Sequence, residues 1–180
     1  MSFKMGRDEI TDFALNIAYN AGISLVASAG NRGYDANHYP STHPRVISVG
    51  ASGNDYKPWP VTGGVGSNYG EGVIALWAPG KNVLLANKNG GATLTTGTSF
   101  AAGYVSGVLA IFYGAEGKAM NPGLALTRLM AQTDPWMTFP SGTDWKKAAA
   151  AFANTGNRKG AKLNPPRQYL GGPPTARQGC

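Results

Sequence analysis

At 180 residues, with 42% apolar and 14% charged side chains, the chain is long enough to bury the core of one domain and too sparsely charged for global disorder. Its net charge of +7 is lopsided: residues 1–140 carry nine Lys/Arg against eight Asp/Glu and residues 141–180 carry seven against one, so the body is nearly neutral. No basic helix interleaved with aromatics marks a nucleic-acid site, and the single cysteine, Cys180, excludes an intrachain disulfide and a Cys/His metal cluster.

In chain order, Ile10, Phe13, Ala14, Ile17, Ala18 and Ala21 recur at spacings of three and four before Gly22, which predicts an amphipathic helix over 8–21 with a glycine stop. Short buried strands are expected at 23–27 and 45–50, each bounded by turn residues. Two further strands are expected at 73–77, ending at Ala78-Pro79-Gly80, and at 83–86. From Thr98 the apolar positions Ala101, Ala102, Val105, Val108, Leu109 and Phe112 keep helical spacing to Gly114, and Gly103 and Gly107 predict close packing along that helix. Asn121-Pro122 supplies an N-cap and a first-position proline for a last body helix through Leu129 and Met130. After Asp134-Pro135 the pattern decays. The segment 134–153 reads as a partly helical extension, and 154–180 as a flexible, basic, Pro/Gly-rich tail. No run of 18 apolar residues is present, and the first residues lack the apolar region of a signal peptide.

Chemistry concentrates at two places. Ser99, in Gly97-Thr98-Ser99-Phe100-Ala101-Ala102, would stand in the first turn of a buried helix, where free backbone N–H groups and the helix dipole stabilise negative charge. Asn31, closing Val26-Ala27-Ser28-Ala29-Gly30-Asn31, lies just past a strand end, where its amide is available as an oxyanion donor for acyl transfer. Taken alone, Gly-Thr-Ser also fits a plain helix cap. His38 and His43 share one Pro- and Gly-flanked loop and read as loop or surface histidines, as Asp35 and Asp55 read as turn residues.

In combination these segments resemble the C-terminal half of the catalytic domain of the subtilisin-like serine proteases (subtilases, peptidase S8). The resemblance runs over roughly residues 1–133 and rests on Met1-Ser2-Phe3, Ser28-Ala29-Gly30-Asn31, Tyr39-Pro40 with Val46-Ile47-Ser48-Val49-Gly50-Ala51, Ser67-Asn68-Tyr69-Gly70, Ala78-Pro79-Gly80 and Gly97-Thr98-Ser99, all in the family's order. It implies an α/β fold, the C-terminal part of a doubly wound, mostly parallel sheet with flanking helices. It also implies Ser99 as nucleophile and Asn31 as oxyanion side chain. Ser2 and Phe3 would border an extended polypeptide substrate, and Ala27, Ser28, Ala29 and Gly30 would line the pocket for the residue before the scissile bond. Structural calcium is possible by the same resemblance, although no ligands can be assigned. A secreted or vacuolar location is also implied.

Two departures accompany it. The family has Pro followed by a polar residue where this chain has Gly103-Tyr104, which loosens the helix behind Ser99. The family's catalytic Asp and His precede the substrate strand, which here begins at Met1, so the chain is expected to lack both and to be inactive alone. Three readings follow: a serine endopeptidase fragment whose missing half is supplied elsewhere or lost, a non-catalytic pseudoprotease that binds extended peptides, and a basic interaction protein led by its tail. No membrane partner is expected, and nucleic acid is disfavoured.

Overall fold

The structure is a computed structural model, and it describes residues 1–33, 38–55, 57–69, 74–116, 120–134 and 162–163. Its elements in chain order are α1 (Glu9–Asn20), β1 (Leu25–Ser28), β2 (Val46–Ser52), β3 (Leu76–Pro79), β4 (Val83–Ala86), β5 (Ala92–Thr95), α2 (Thr98–Glu116), α3 (Pro122–Ala131), β6 (Thr133–Asp134) and β7 (Lys162–Leu163). The main sheet has the order β1-β2-β3-β7-β6, parallel from β1 to β7 with β6 antiparallel at one edge. This α/β arrangement with helices on both sheet faces is the fold class expected from the sequence.

Strand alternation separates the two faces. Ile47, Val49 and Ala51 of β2, with Val26, Leu76 and Ala78, point to one face and pack with Ala101, Val105, Leu109 and Phe112 of α2 and Leu129 of α3. Leu25, Ala27 and Val46 point to the other, against Leu15 of α1 and Tyr39. Trp77 is 1% exposed and lies over the α-carbon of Gly50, where a β-carbon would stand 2.6 Å from its ring. Residues Thr98–Ala115 of α2 are long and apolar enough to cross a membrane. Here Ala101, Val105 and Leu109 instead seat the helix on the sheet.

Helix ends follow their side chains. Asp8 caps α1 by accepting from Thr11 N at 2.8 Å, and Asn121 caps α3 by accepting from Leu124 N at 3.0 Å with Pro122 in the first turn.

Three expectations are corrected, and two strands lie outside those expected. The apolar stripe of α1 faces solvent, with Ile10 82%, Phe13 68% and Ile17 52% exposed, and Leu15 is the buried residue of the helix. Gly103 and Gly107 are exposed, with nothing within 4 Å of a β-carbon at either, so they do not mark close packing. Strand β3 spans 76–79 and runs into the Ala-Pro pair, because Ala78 and Pro79 continue the parallel register with Ala51 and Ser52. The hairpin partner β5 was not anticipated: polar Thr93 and Thr95 and the exposed Leu94 give it no buried face, and turn residues 87–91 alone mark it. Lys162 and Leu163, within the segment read as a tail, form β7 in the sheet, where Lys162 pairs with Trp77. The Ala-rich helix expected near 146–153 lies outside the described residues.

Candidate active site

The sheet presents the ends of β1 and β3 to the start of α2, and these three places build the site. Past β1 the chain turns at Gly30, whose φ of +104° is open to glycine and strained for any other residue. That turn delivers Asn31 to the α2 N-terminus. Past β3, Gly80 accepts from Gly97 N at 2.8 Å, which fixes the approach to α2 and sets Ser99 in its first turn, half-buried.

Asn31 is oriented by two bonds to one oxygen. Its Oδ1 accepts from Thr98 N at 2.9 Å and from Thr98 Oγ1 at 2.7 Å, and Thr98 Oγ1 in turn accepts from Gly30 N at 3.1 Å. Because a backbone N–H can only donate, the amide nitrogen Nδ2 is fixed on the other side, toward the segment that carries Ser99. It stands 3.5 Å from where a β-carbon on Gly97 would sit. An amide donor thus stands beside the helix start that carries Ser99, the kind of group that a developing oxyanion requires.

A second brace holds the Gly30 turn from behind. Asn68, 2% exposed, donates from Nδ2 to Ala29 O at 2.9 Å, accepts at Oδ1 from Arg32 N at 2.9 Å, and its backbone N–H donates to Gly30 O at 2.8 Å. Ser67 Oγ supports it by accepting from Ala51 N and donating to the Asn68 carbonyl.

Of the remaining residues singled out from the sequence, Met1 continues the sheet beside β1: its amino group donates to Val26 O and its carbonyl accepts from Ser28 N at 2.9 Å. Ser2 Oγ donates to Ser99 O at 3.4 Å, and Phe3 is 52% exposed, so residues 1–3 run past the α2 N-terminus. Ala27, Ser28, Ala29 and Gly30, beside Met1, are buried. Beyond Ser99 an apolar cavity of about 580 Å³ opens between α2 and the β4–β5 hairpin, lined by Leu84, Phe100 and Tyr104 among others.

Both histidines are engaged elsewhere. His43 is buried, accepts from Arg45 N at 3.2 Å and places Nε2 3.8 Å from Asp12 Oδ1. His38 packs against Gly30, and burial followed by the charge of Lys4 holds it below the ordinary imidazole range. Asp55 accepts from Lys57 N at 3.3 Å within a turn, and Asp35 lies outside the described residues. Among the described residues no imidazole or carboxylate hydrogen-bonds to Ser99 Oγ, and no three His, Cys, Asp or Glu side chains cluster to hold a metal.

Sequence reasoning singled out Ser99 and Asn31 but assigned no role to Thr98, Asn68 or His38. Thr98 and Asn68 are polar residues that are almost completely buried, the signal that only the fold reveals.

Residues 3–163 match the family model for the subtilase family, Peptidase_S8. Subtilisin-like protease 10 of Arthroderma otae is 43% identical over 108 residues, covering 59% of this chain and 26% of its own length. Subtilisin-like protease 6 of Trichophyton verrucosum is 37% identical over 135 residues, covering 74% of this chain and 31% of its own. Among solved structures, the prenylagaramide maturation protease PagA superposes with a TM-score of 0.68 at 31% identity over 90% of this chain and 55% of that one. Sphericase superposes at 0.62 with 30% identity over 73% of this chain and 47% of that one. The chain therefore spans about a quarter to a third of these curated relatives and about half of the solved structures. With a family match across most of its length and an α/β sheet that superposes on solved proteases, the chain belongs to the subtilase family of serine-type proteases.

Proposed function

We propose that Ser99 is the nucleophile, and Asn31 the side-chain oxyanion donor, of a serine endopeptidase site that acts on extended polypeptide. Ser2 and Phe3 border the substrate, and Ala27, Ser28, Ala29 and Gly30 line the pocket for the residue before the scissile bond. The observation that carries this reading is the pair of bonds from Thr98 to Asn31 Oδ1, which turns the Asn31 amide toward the helix start that bears Ser99. In the reaction Ser99 Oγ would attack the carbonyl carbon, its proton would pass to a base, and the carbonyl oxygen would become an oxyanion between Asn31 Nδ2 and the α2 N-terminus.

Among the described residues neither His38, packed against Gly30, nor His43, bonded to Arg45 N, hydrogen-bonds to Ser99. We infer that an imidazole and its orienting carboxylate come from polypeptide outside this sequence, and that the chain alone is inactive. In subtilisin, loss of the serine or histidine lowers turnover by about 10⁶, with about 10³ to 10⁴ over water left from the oxyanion hole and binding. A fluorogenic peptide assay with Ser99→Ala as control tests the inference. No Ser99-dependent cleavage is expected from the chain alone, and cleavage at near-protease rates would sink it. Labelling of Ser99 by a fluorophosphonate probe is expected only when the complementing polypeptide is added. Family membership is what supports a secreted or vacuolar location.

A further inference from the structure

The proposed peptide groove is bounded on its β1 side by Gly30, and His38 lies directly against that glycine. A β-carbon at position 30 would come within 2.5 Å of both His38 Cδ2 and Asn68 Nδ2, so the imidazole and the Asn68 amide together fill the space into which a side chain there would project. Ser41 Oγ donates to the His38 carbonyl, and Met5 N–H donates to the adjacent Tyr39 carbonyl at 3.1 Å. His38 thus lies against the Gly30 turn, and its neighbour Tyr39 is bonded to Met5 of the first five residues.

Two properties of this imidazole point to a ligand. Its Nδ1 is shielded from solvent and makes no hydrogen bond, although the ring as a whole is partly exposed and the backbones of Ser28 and of His38 itself act on it to favour its protonated form. The charges that act on it are both positive, Lys4 from one flank and Arg32 from the other, and both side chains are exposed.

We propose that His38, flanked by Lys4 and Arg32, makes the groove select peptides with a carboxylate side chain, Glu or Asp, at the residue before the scissile bond. This inference rests on the reading of Ser99 and Asn31 as a peptide-cleaving site. The terminal torsion of a histidine is broad, and rotation about it would turn Nδ1 toward the groove. There it donates to the carboxylate once it has taken a proton from solvent, and the two cations add an attractive field that salt weakens. An apolar side chain leaves Nδ1 unpartnered. A lysine side chain adds a third positive charge.

The test uses the full 180-residue chain and labelled extended peptides that differ only at that residue, Glu, Leu or Lys, with Kd read by anisotropy in low salt at mildly acidic pH. The Glu peptide is expected to bind about tenfold tighter than the Leu peptide, as a charge-assisted hydrogen bond allows, and the Lys peptide weakest. The Glu-to-Leu ratio is expected to shrink in His38→Leu and also in Lys4→Gln/Arg32→Gln, which alters exposed side chains and spares the fold. Proton uptake should accompany binding of the Glu peptide, read as a heat that depends on the buffer. Equal Kd for Glu and Leu overturns the selectivity while leaving the groove standing, and a ratio that survives in His38→Leu overturns the role of His38. Failure of all three peptides to bind overturns the groove and the selectivity together.

Discussion

Asn31 and Thr98 meet at a single atom: the Asn31 side-chain oxygen receives both the backbone N–H of Thr98, at 2.9 Å, and its hydroxyl, at 2.7 Å. The same hydroxyl accepts from Gly30 N at 3.1 Å, so one threonine ties the strand end that carries Asn31 to the helix that carries Ser99. A donor aimed in advance at developing charge spares the reaction the cost of reorienting it. In the proposed site Thr98 would thus position the Asn31 amide, and its brace is measurable without turnover.

Thr98→Val keeps the shape and removes the hydroxyl, leaving the buried Gly30 N–H without its acceptor. A buried donor left unpaired costs about 1–3 kcal/mol, so urea unfolding should show a loss of that order for Thr98→Val. Thr98→Ser, which restores the hydroxyl, should lie close to the parent. Equal stability for Val and Ser would dismiss the brace.

Two glycines are expected to respond in opposite directions to the same added methyl group. At Gly50 a β-carbon would stand 2.6 Å from the buried Trp77 ring, and Gly50→Ala should cost about 1–3 kcal/mol through overpacking. At Gly107 nothing lies within 4 Å, and alanine in an exposed helix interior should stabilise by about 0.5–1 kcal/mol. Thermal melts of the two variants check the pair, and matching signs would contradict it.

These glycines also show where sequence reading stops. Periodicity marked the helix that begins at Thr98 because Ala101, Val105, Leu109 and Phe112 form one stripe and that stripe is buried. The same periodicity in α1 marked a helix correctly but put the wrong face inward, since the pattern records which residues are alike and not what lies opposite them. Ser99 and Asn31 were legible because each belongs to a local motif of fixed order. Thr98, Asn68 and His38 owe their roles to partners 67, 39 and 8 residues away in sequence, at Asn31, Ala29 and Gly30. No local pattern encodes those pairings.

The exposed stripe of α1 has a consequence in solution. Ile10, Phe13 and Ile17 lie at successive helical spacings and are all more than half exposed, an apolar patch of the kind that drives association. Ile10→Lys/Ile17→Lys should reduce concentration-dependent association in sedimentation velocity. Because neither side chain is buried, unfolding free energy should move by no more than about 0.5 kcal/mol. A large loss of stability would show that the stripe is packed in the isolated chain.

The buried group around Asp12 predicts how stability follows pH. Asp12 accepts from Arg7 Nε at 2.9 Å and from the Tyr39 hydroxyl at 3.0 Å, and lies 3.8 Å from His43 Nε2. Burial holds His43 below the ordinary imidazole range; the Asp12 carboxylate opposes this, but at a distance longer than a hydrogen bond, and Arg7 and Arg45 reinforce the lowering. The hydrogen bond from Arg7 is the largest influence that holds the Asp12 carboxyl low. Unfolding therefore takes up protons: the His43 contribution is complete above the unfolded value of about 6.5 and is lost as pH falls through its lower folded value. His38 adds the same sign, and Asp12 follows at more acid pH, below about 4. At the alkaline end burial and Asp12 push Tyr39 up to about 12, so its contribution is lost as pH rises past the ordinary 10. The Tm should fall from pH 8 to pH 5, and His43→Gln should flatten that limb while leaving the alkaline one in place. Tyr39→Phe should flatten the alkaline limb, and a Tm that climbs on acidification would overturn the assignment of His43 as a buried neutral imidazole.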